Sequence, residues 1–125
     1  MRALVCKELG PAGSLRIETV DDPLPGRGEV VIDVHAAGLN FPDTLIIEGK
    51  YQVRPELPFV PGGEAAGTIS AVGEGVGGWQ VGDRVITIGA YGAFAEKVLK
   101  PSDAILRLPD TMDFTTGAGF IAAYG

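Results

Sequence analysis

The chain has 125 residues, a formal net charge of −6 and a single cysteine, Cys6. This charge gives no basic footprint for nucleic acid, and one cysteine excludes an internal disulfide framework. The sequence lacks both a secretory signal and an apolar run of the roughly 20 residues that a membrane helix needs. We therefore expect a soluble cytoplasmic protein without nucleic-acid or membrane partners. Nineteen glycines and nine prolines beside 46% apolar residues predict many short strands joined by sharp turns.

Three strands are predicted in the first part of the chain, at residues 2–7, 15–20 and 29–37, because apolar and polar residues alternate there. In the third strand, Val30 and Ile32 share one face, whereas Asp33 and His35 share the other. That polar face predicts that His35 is a solvated surface imidazole rather than a general base.

A short amphipathic helix is predicted at residues 41–48, because Pro42 suits its first turn and Asp43 complements its dipole. A long irregular passage follows at residues 49–63. Loops of that length in compact domains are usually functional or disordered. The apolar Leu57, Phe59 and Val60 argue against disorder, so we expect this passage to carry function.

Four more strands are predicted at residues 65–72, 84–88, 94–99 and 104–108, which completes a small barrel over residues 1–110. The last stretch, residues 111–125, changes character. Thr111 or Asp113 could cap a helix there, and Gly117 and Gly119 weaken it, so the helix would need packing partners. The sequence stops without a closing signal, and we expect the chain to be cut from a longer one.

Two glycine-rich stretches match a dinucleotide-binding fingerprint in spelling only. The fingerprint requires a strand before its glycines and a helix N-terminus after them, which points N–H groups at the pyrophosphate. Neither stretch has both neighbours, so we interpret both as turn or packing glycines. The two stretches are Gly73, Gly75, Gly78 and Gly117, Gly119, Ala122.

The sequence does not supply a zinc site. A structural zinc needs four Cys or His ligands and a catalytic zinc needs three protein ligands, but this chain offers only Cys6 and His35. Cys6 alternates with Leu4 and is predicted to be an inert core thiol. No Gly-x-Ser-x-Gly motif supports a serine nucleophile.

Four polar residues remain, and each has an ordinary structural explanation. Asn40 could be a turn residue, Asp43 a helix-start charge, Tyr51 a loop anchor and Glu64 a buried carboxylate that ties down backbone amides. Together they carry more weight, because the loops that hold them would converge on one cleft. An amide, a phenol and a carboxylate there could orient a carbonyl substrate and its reductant.

Five short motifs, in order, resemble the medium-chain dehydrogenase/reductase superfamily, and within it the zinc-independent quinone oxidoreductase branch. The resemblance covers essentially the whole chain. The motifs are Gly38-x-Asn40-x-x-Asp43, Gly49-x-Tyr51, Leu57-Pro58-x-x-x-Gly62-x-Glu64-x-x-Gly67, Val72-Gly73-x-x-Val76 and Gly82-Asp83-Arg84-Val85.

The resemblance implies a mainly β fold, a GroES-like partly open barrel with short helices. Residues 1–110 would form this catalytic domain, and residues 111–125 would begin the connection to a Rossmann domain that this chain lacks. Zinc-dependent members carry a cysteine ligand where this chain has Asn40 and a histidine where it has Gly63. Without zinc there is no Lewis acid to polarise an alcoholate, which disfavours alcohol oxidation.

The implied function is that of the N-terminal catalytic domain of an NADPH-dependent quinone oxidoreductase, which transfers a hydride to a quinone or an α,β-unsaturated carbonyl. Tyr51 would offer its hydroxyl to the acceptor carbonyl. Asn40 would meet the nicotinamide-ribose side of the cofactor, and Asp43 would order the helix beside it. Glu64 would be structural.

Further expectations follow from the same likeness. The absent domain would hold most of the NADPH and form a homodimer, so this chain alone should reduce nothing. Two alternatives stay open at this point: an enoyl reductase acting on thioester-linked chains, and a stand-alone GroES-like binding module without catalysis.

Overall fold

A computed structural model of the protein describes residues 1–9, 15–38, 57–89 and 92–118. These residues contain one helix, α1, at residues 114–118, and no helix long and apolar enough to cross a membrane. They also contain seven strands, as the sequence predicts. The strands are β1 (Arg2–Cys6), β2 (Leu15–Thr19), β3 (Glu29–Gly38), β4 (Glu64–Val72), β5 (Arg84–Ile88), β6 (Lys97–Pro101) and β7 (Ile105–Arg107).

The strands form a hairpin and a curled half-barrel. β1 and β2 pair as an antiparallel hairpin, and the other five strands form one antiparallel sheet in the order β6-β3-β4-β5-β7. The mainly β, partly open barrel predicted from the sequence is confirmed. β4 is the central strand of this sheet, and β3, which has ten residues, pairs with β4 on one side and with β6 on the other.

One face of the sheet encloses the main apolar core. Val30 and Ile32 are fully buried there, as predicted for β3. The strict alternation is wrong, because Val31 is also only 2% exposed and the register shifts between Val34 and Ala36. On the opposite face of β3, His35 is exposed, as predicted. The core cluster consists of Val30, Ile32, Ile69, Val85, Val98 and Ile105.

Two strand predictions are corrected by the structure. β6 begins at Lys97 rather than at residue 94, because the backbone before it bonds to other segments: Phe94 N donates to the carbonyl of Pro61 at 3.0 Å. β2 is more exposed than its alternation predicts, and Ile17 is 65% exposed. Within the described part of the chain β2 pairs with β1 alone.

The helix near the end of the chain is capped by Asp113, one of the two predicted caps. Its Oδ1 atom accepts a hydrogen bond from the N–H of Thr116 at 2.7 Å. A side-chain hydrogen bond from Thr116, together with this backbone bond, holds the pKa of the Asp113 carboxyl below its usual range. Gly117 is buried inside α1, and a Cβ there would lie 2.7 Å from Leu108 Cδ1. The glycine therefore lets the helix pack closely on the sheet, which is the packing partner the prediction required.

We expect Ile32→Ala to lower the free energy of unfolding by about 2–5 kcal/mol, because it opens a cavity in the fully buried core. Ile17→Ala is the matched control: the same atoms are removed from a side chain that is 65% exposed, so the change should stay below about 1 kcal/mol. Chemical denaturation of both variants measures the difference. Equal losses would contradict the core assignment.

Candidate functional site

The candidate site lies at the edge where β3 ends and β4 begins. Gly38, the last residue of β3, faces Glu64, the first residue of β4, and Glu64 faces Ile88 of β5 on its other side. The passage at residues 39–63 therefore leaves the sheet and returns to it at one place. Residues Asn40, Asp43 and Tyr51 belong to this passage and lie outside the described residues, so their roles remain predictions.

The return of the passage is fixed by backbone hydrogen bonds on two sides. Cys6 N donates to the carbonyl of Phe59 at 2.7 Å, and Phe59 N donates back to Cys6 at 3.0 Å. The carbonyl of Gly62 accepts a bond from Ala93 N at 3.0 Å. Gly62 has a φ of +104°, and a Cβ there would lie 2.7 Å from the ring of Phe94. A glycine is needed at this position for both reasons.

The end of α1 rests against the same edge. A Cβ placed on Gly38 would lie 2.9 Å from the carbonyl oxygen of Ala118 and 3.6 Å from Glu64 Oε2. Such a contact with a backbone atom is too short for any other residue type, so Gly38 allows the helix to approach. The edge thus combines the end of β3, the start of β4 and the last described turn of α1.

Glu64 is 8% exposed, which confirms the prediction that this residue is buried. Its place in the sheet ladder, between Gly38 and Ile88, fixes its backbone. Whether its carboxylate ties down backbone amides stays a prediction. A buried carboxylate must be satisfied by neighbours, so its surroundings constrain the whole edge.

A second apolar cluster lies between the sheet and the segment that carries α1. Its buried members come from β4, β5, the end of the barrel and the helix itself, and Phe114 and Met112 pack against them. Because this cluster is shared, the position of α1 depends on the sheet beneath it. The buried members are Ala66, Ile86, Leu108 and Ala118.

Three side chains that the sequence did not bring together form a layered contact beside this cluster. The rings of His35 and Phe114 stack with centroids 4.2 Å apart, and the Arg84 guanidinium carbon lies 4.5 Å from the Phe114 centroid. We call these three residues the Phe114 stack. The sequence signal for it was weak: Arg84 belongs to a quoted motif, but nothing in the spacing connects it with His35 or Phe114.

In the described part of the chain the side chains that could bind a metal do not form a cluster. Among the described residues no group of three His, Cys, Asp or Glu side chains is close enough to hold an ion. Cys6 is fully buried in β1, where burial raises the pKa of its thiol and its Sγ donates to the carbonyl of Glu8 at 3.2 Å. His35 lies in the Phe114 stack instead. A protonated, buried thiol is a poor metal ligand.

The first glycine-rich stretch is a turn, as predicted. It connects β4 to β5, and Gly73 N donates to the carbonyl of Glu29 at 2.8 Å. Gly75 and Gly78 have φ angles of +80° and +82°. No helix follows these glycines before β5, so the stretch does not form a pyrophosphate cradle. Of the second stretch, only Gly117 lies within the described residues, and it is a packing glycine.

Comparison with known proteins places this geometry in a family context. The alcohol dehydrogenase GroES-like domain matches residues 26–110. The chain is 39% identical over 126 residues to the quinone oxidoreductase of Lama guanicoe, which aligns with 99% of this chain and 38% of that protein.

Two solved structures give the same result. A crystal structure of the human synaptic vesicle membrane protein VAT-1 homolog-like protein superposes with a TM-score of 0.92 at 38% identity, over 99% of this chain and 41% of that one. The Escherichia coli quinone oxidoreductase complexed with NADPH superposes with a TM-score of 0.90 at 32% identity, over 95% of this chain and 36% of that one. The chain spans 29–38% of the length of the curated relatives it matches.

We expect Gly38→Ala to lower the free energy of unfolding by about 1–3 kcal/mol, because the new methyl group collides with the carbonyl of Ala118. Gly77→Ala adds the same methyl group where nothing lies within 4 Å, and should change stability by less than about 0.5 kcal/mol. Thermal or denaturant unfolding compares the two. A harmless Gly38→Ala would show that α1 does not press on this edge.

Proposed function

Because the chain belongs to the alcohol dehydrogenase GroES-like domain family, in the quinone oxidoreductase branch of the medium-chain dehydrogenases/reductases, we propose that it is the N-terminal catalytic domain of an NADPH-dependent reductase. The acceptor is a quinone or an α,β-unsaturated carbonyl. The observation that carries this proposal is the similarity of nearly the whole chain to named quinone oxidoreductases, one of which is complexed with NADPH.

The cofactor supplies the hydride, and a second domain holds most of it. The described residues do not fit the pyrophosphate, because their one complete glycine-rich match leads into β5 rather than into a helix. We propose that residues 111–125 begin the connection to a Rossmann domain. The packing of α1 on the sheet supports this proposal, because it fixes the path that the chain takes past the candidate edge.

The proposed residue roles depend on the passage at residues 39–63, which is attached to that edge at both ends. Asn40 comes two positions after Gly38 and is proposed to meet the nicotinamide-ribose side of the cofactor. Asp43 orders the helix beside it. Tyr51 donates its hydroxyl hydrogen to the acceptor carbonyl, which positions the acceptor while the cofactor carries the difficult step.

We propose that the reaction runs without zinc. Asn40 and Gly63 occupy the positions where zinc-dependent members place a cysteine and a histidine ligand, and neither can replace such a ligand. The hydroxyl of Tyr51 then polarises the acceptor carbonyl by donating a hydrogen bond to it. We also propose a cytoplasmic homodimer, since the single buried thiol suits a reducing compartment and the family pairs through its other domain.

The experiment that tests the function is a substrate panel on the full-length protein that contains this chain. NADPH oxidation is followed with 1,4-naphthoquinone, with a simple enone and with an enoyl thioester. Quinone or enone reduction supports the proposal. Selective thioester reduction would favour the enoyl reductase, and NADPH oxidation with none of them would favour a binding module.

Tyr51→Phe in the full-length protein should lower kcat/KM for the acceptor about fivefold, because one positioning hydrogen bond of roughly 1 kcal/mol is lost. Trp79→Phe is a suitable control, since it also removes one aromatic hydrogen-bond donor, here one that bonds to the carbonyl of Ser102 at 3.2 Å. Steady-state kinetics with naphthoquinone compares the two. An unchanged kcat/KM in Tyr51→Phe would remove Tyr51 from the site.

Incubation of the full-length protein with 1,10-phenanthroline, followed by dialysis, should leave quinone reduction unchanged, because no step is proposed to need a Lewis acid. Metal analysis of the same samples shows whether any zinc was removed. Loss of activity that is restored by added zinc would refute a zinc-free reaction.

A further inference from the structure

We propose that His35 and Arg84 are positioning residues: they hold the ring of Phe114 between them and thereby set α1 against the Gly38 edge. The inference rests on the proposed function, because that edge is where the acceptor and the cofactor are proposed to meet. Neither residue needs to touch substrate. Their effect reaches the site through the orientation of the helix.

Two side chains from the strands on either side of β4 contact the ring of Phe114. Thr68 of β4 faces Arg84 of β5, and its Oγ1 atom lies 3.4 Å from His35 Nε2. His35 and Arg84 therefore belong to the two strands that pair with β4, one on each side of it. Both side chains contact the ring of Phe114, with the His35 centroid at 4.2 Å and the Arg84 guanidinium carbon at 4.5 Å from its centroid.

A β-bulge places His35 in this position. Val34 faces Gly67 and Ala36 faces Ala66, so His35 is an extra residue in β3 that faces no residue of β4. Bulges bend a strand and re-aim a side chain, and they are enriched beside active sites. Here the re-aimed imidazole meets Phe114 with its ring inclined by only 16°.

Arg84 contacts the chain before α1 as well as the ring. One guanidinium nitrogen donates to the carbonyl of Pro109 at 2.8 Å, and another donates to the carbonyl of Met112 at 2.6 Å. Only a planar, forked cation can make both bonds and still stack on an aromatic face. Arg84 therefore fixes both the path into the helix and its first residue, Phe114.

Ala118, the last described residue of α1, connects the position of Phe114 with the candidate edge. Phe114 begins the helix, and Ala118, one turn later, presses its carbonyl against Gly38. A methyl group on Gly117 would contact the side chain of Leu108 too closely, so α1 is closely packed at this point. Because the described turn of α1 is closely packed, a shift of Phe114 displaces Ala118 from the edge.

The test uses the full-length protein and three variants. His35→Ala removes the stacking ring from an exposed position, and His35→Phe restores a ring without the imidazole. Arg107→Ala is the control, since it removes a similar cation–ring contact, 4.8 Å from Trp79, that does not involve α1. The measurements are kcat and KM for 1,4-naphthoquinone and hydrogen exchange of the peptide spanning residues 114–118.

We expect His35→Ala to lower kcat about fivefold with less than a twofold change in KM, because misplaced reactants lose transition-state alignment rather than affinity. Exchange at residues 114–118 should rise severalfold. His35→Phe should restore both values, and Arg107→Ala should alter neither.

The outcomes separate this inference from the proposed function. A wild-type protein that reduces no acceptor overturns the function, and the kinetic role falls with it. An active wild type with unchanged exchange in His35→Ala overturns the inference alone. Faster exchange at unchanged kcat also overturns it, because the stack would then only stabilise the helix.

Discussion

The pairing of β3 with β4 is the constraint on which the rest of this structure depends. It is the ladder that brings Gly38 next to Glu64, so that a long passage of chain starts and ends at one point. The side chains along that end of the ladder are small: Ala65 and Ala66 are fully buried, and a Cβ on Gly67 would overlap the carbonyl of Asp33. Close strand approach at this end makes a narrow edge, against which a helix can pack.

The two faces of the sheet pack against different parts of the chain. One face holds the main core, where the large β-branched side chains of β3, β4 and β5 exclude water and give the domain its stability. The other face receives α1 through a smaller cluster and the Phe114 stack. A rigid core on one side thus supports a closely packed helix on the other.

Much of the fold could be predicted from the sequence, because strands that are half buried alternate with period two and turns need glycine or proline. The positions of β3, β4 and β5 followed from that rule. The start of β6 could not be predicted in this way. Phe94 lies in a strand-like sequence, but its backbone forms hydrogen bonds with Pro61 and with β1. The exposure of Ile17 was also hidden, since alternation describes a strand and not what covers it.

For the candidate site, the sequence by itself determined the family and the presence of only one cysteine and one histidine. It also predicts Asn40, Asp43, Tyr51 and Glu64 as a group, whose roles stay predictions. These depend on residue types and short spacings, which the chain carries directly. Only the tertiary structure decided that Gly38 is a contact point for α1 and that His35, Phe114 and Arg84 meet. Those contacts join residues far apart in sequence through strand register and a bulge, and no local pattern encodes either.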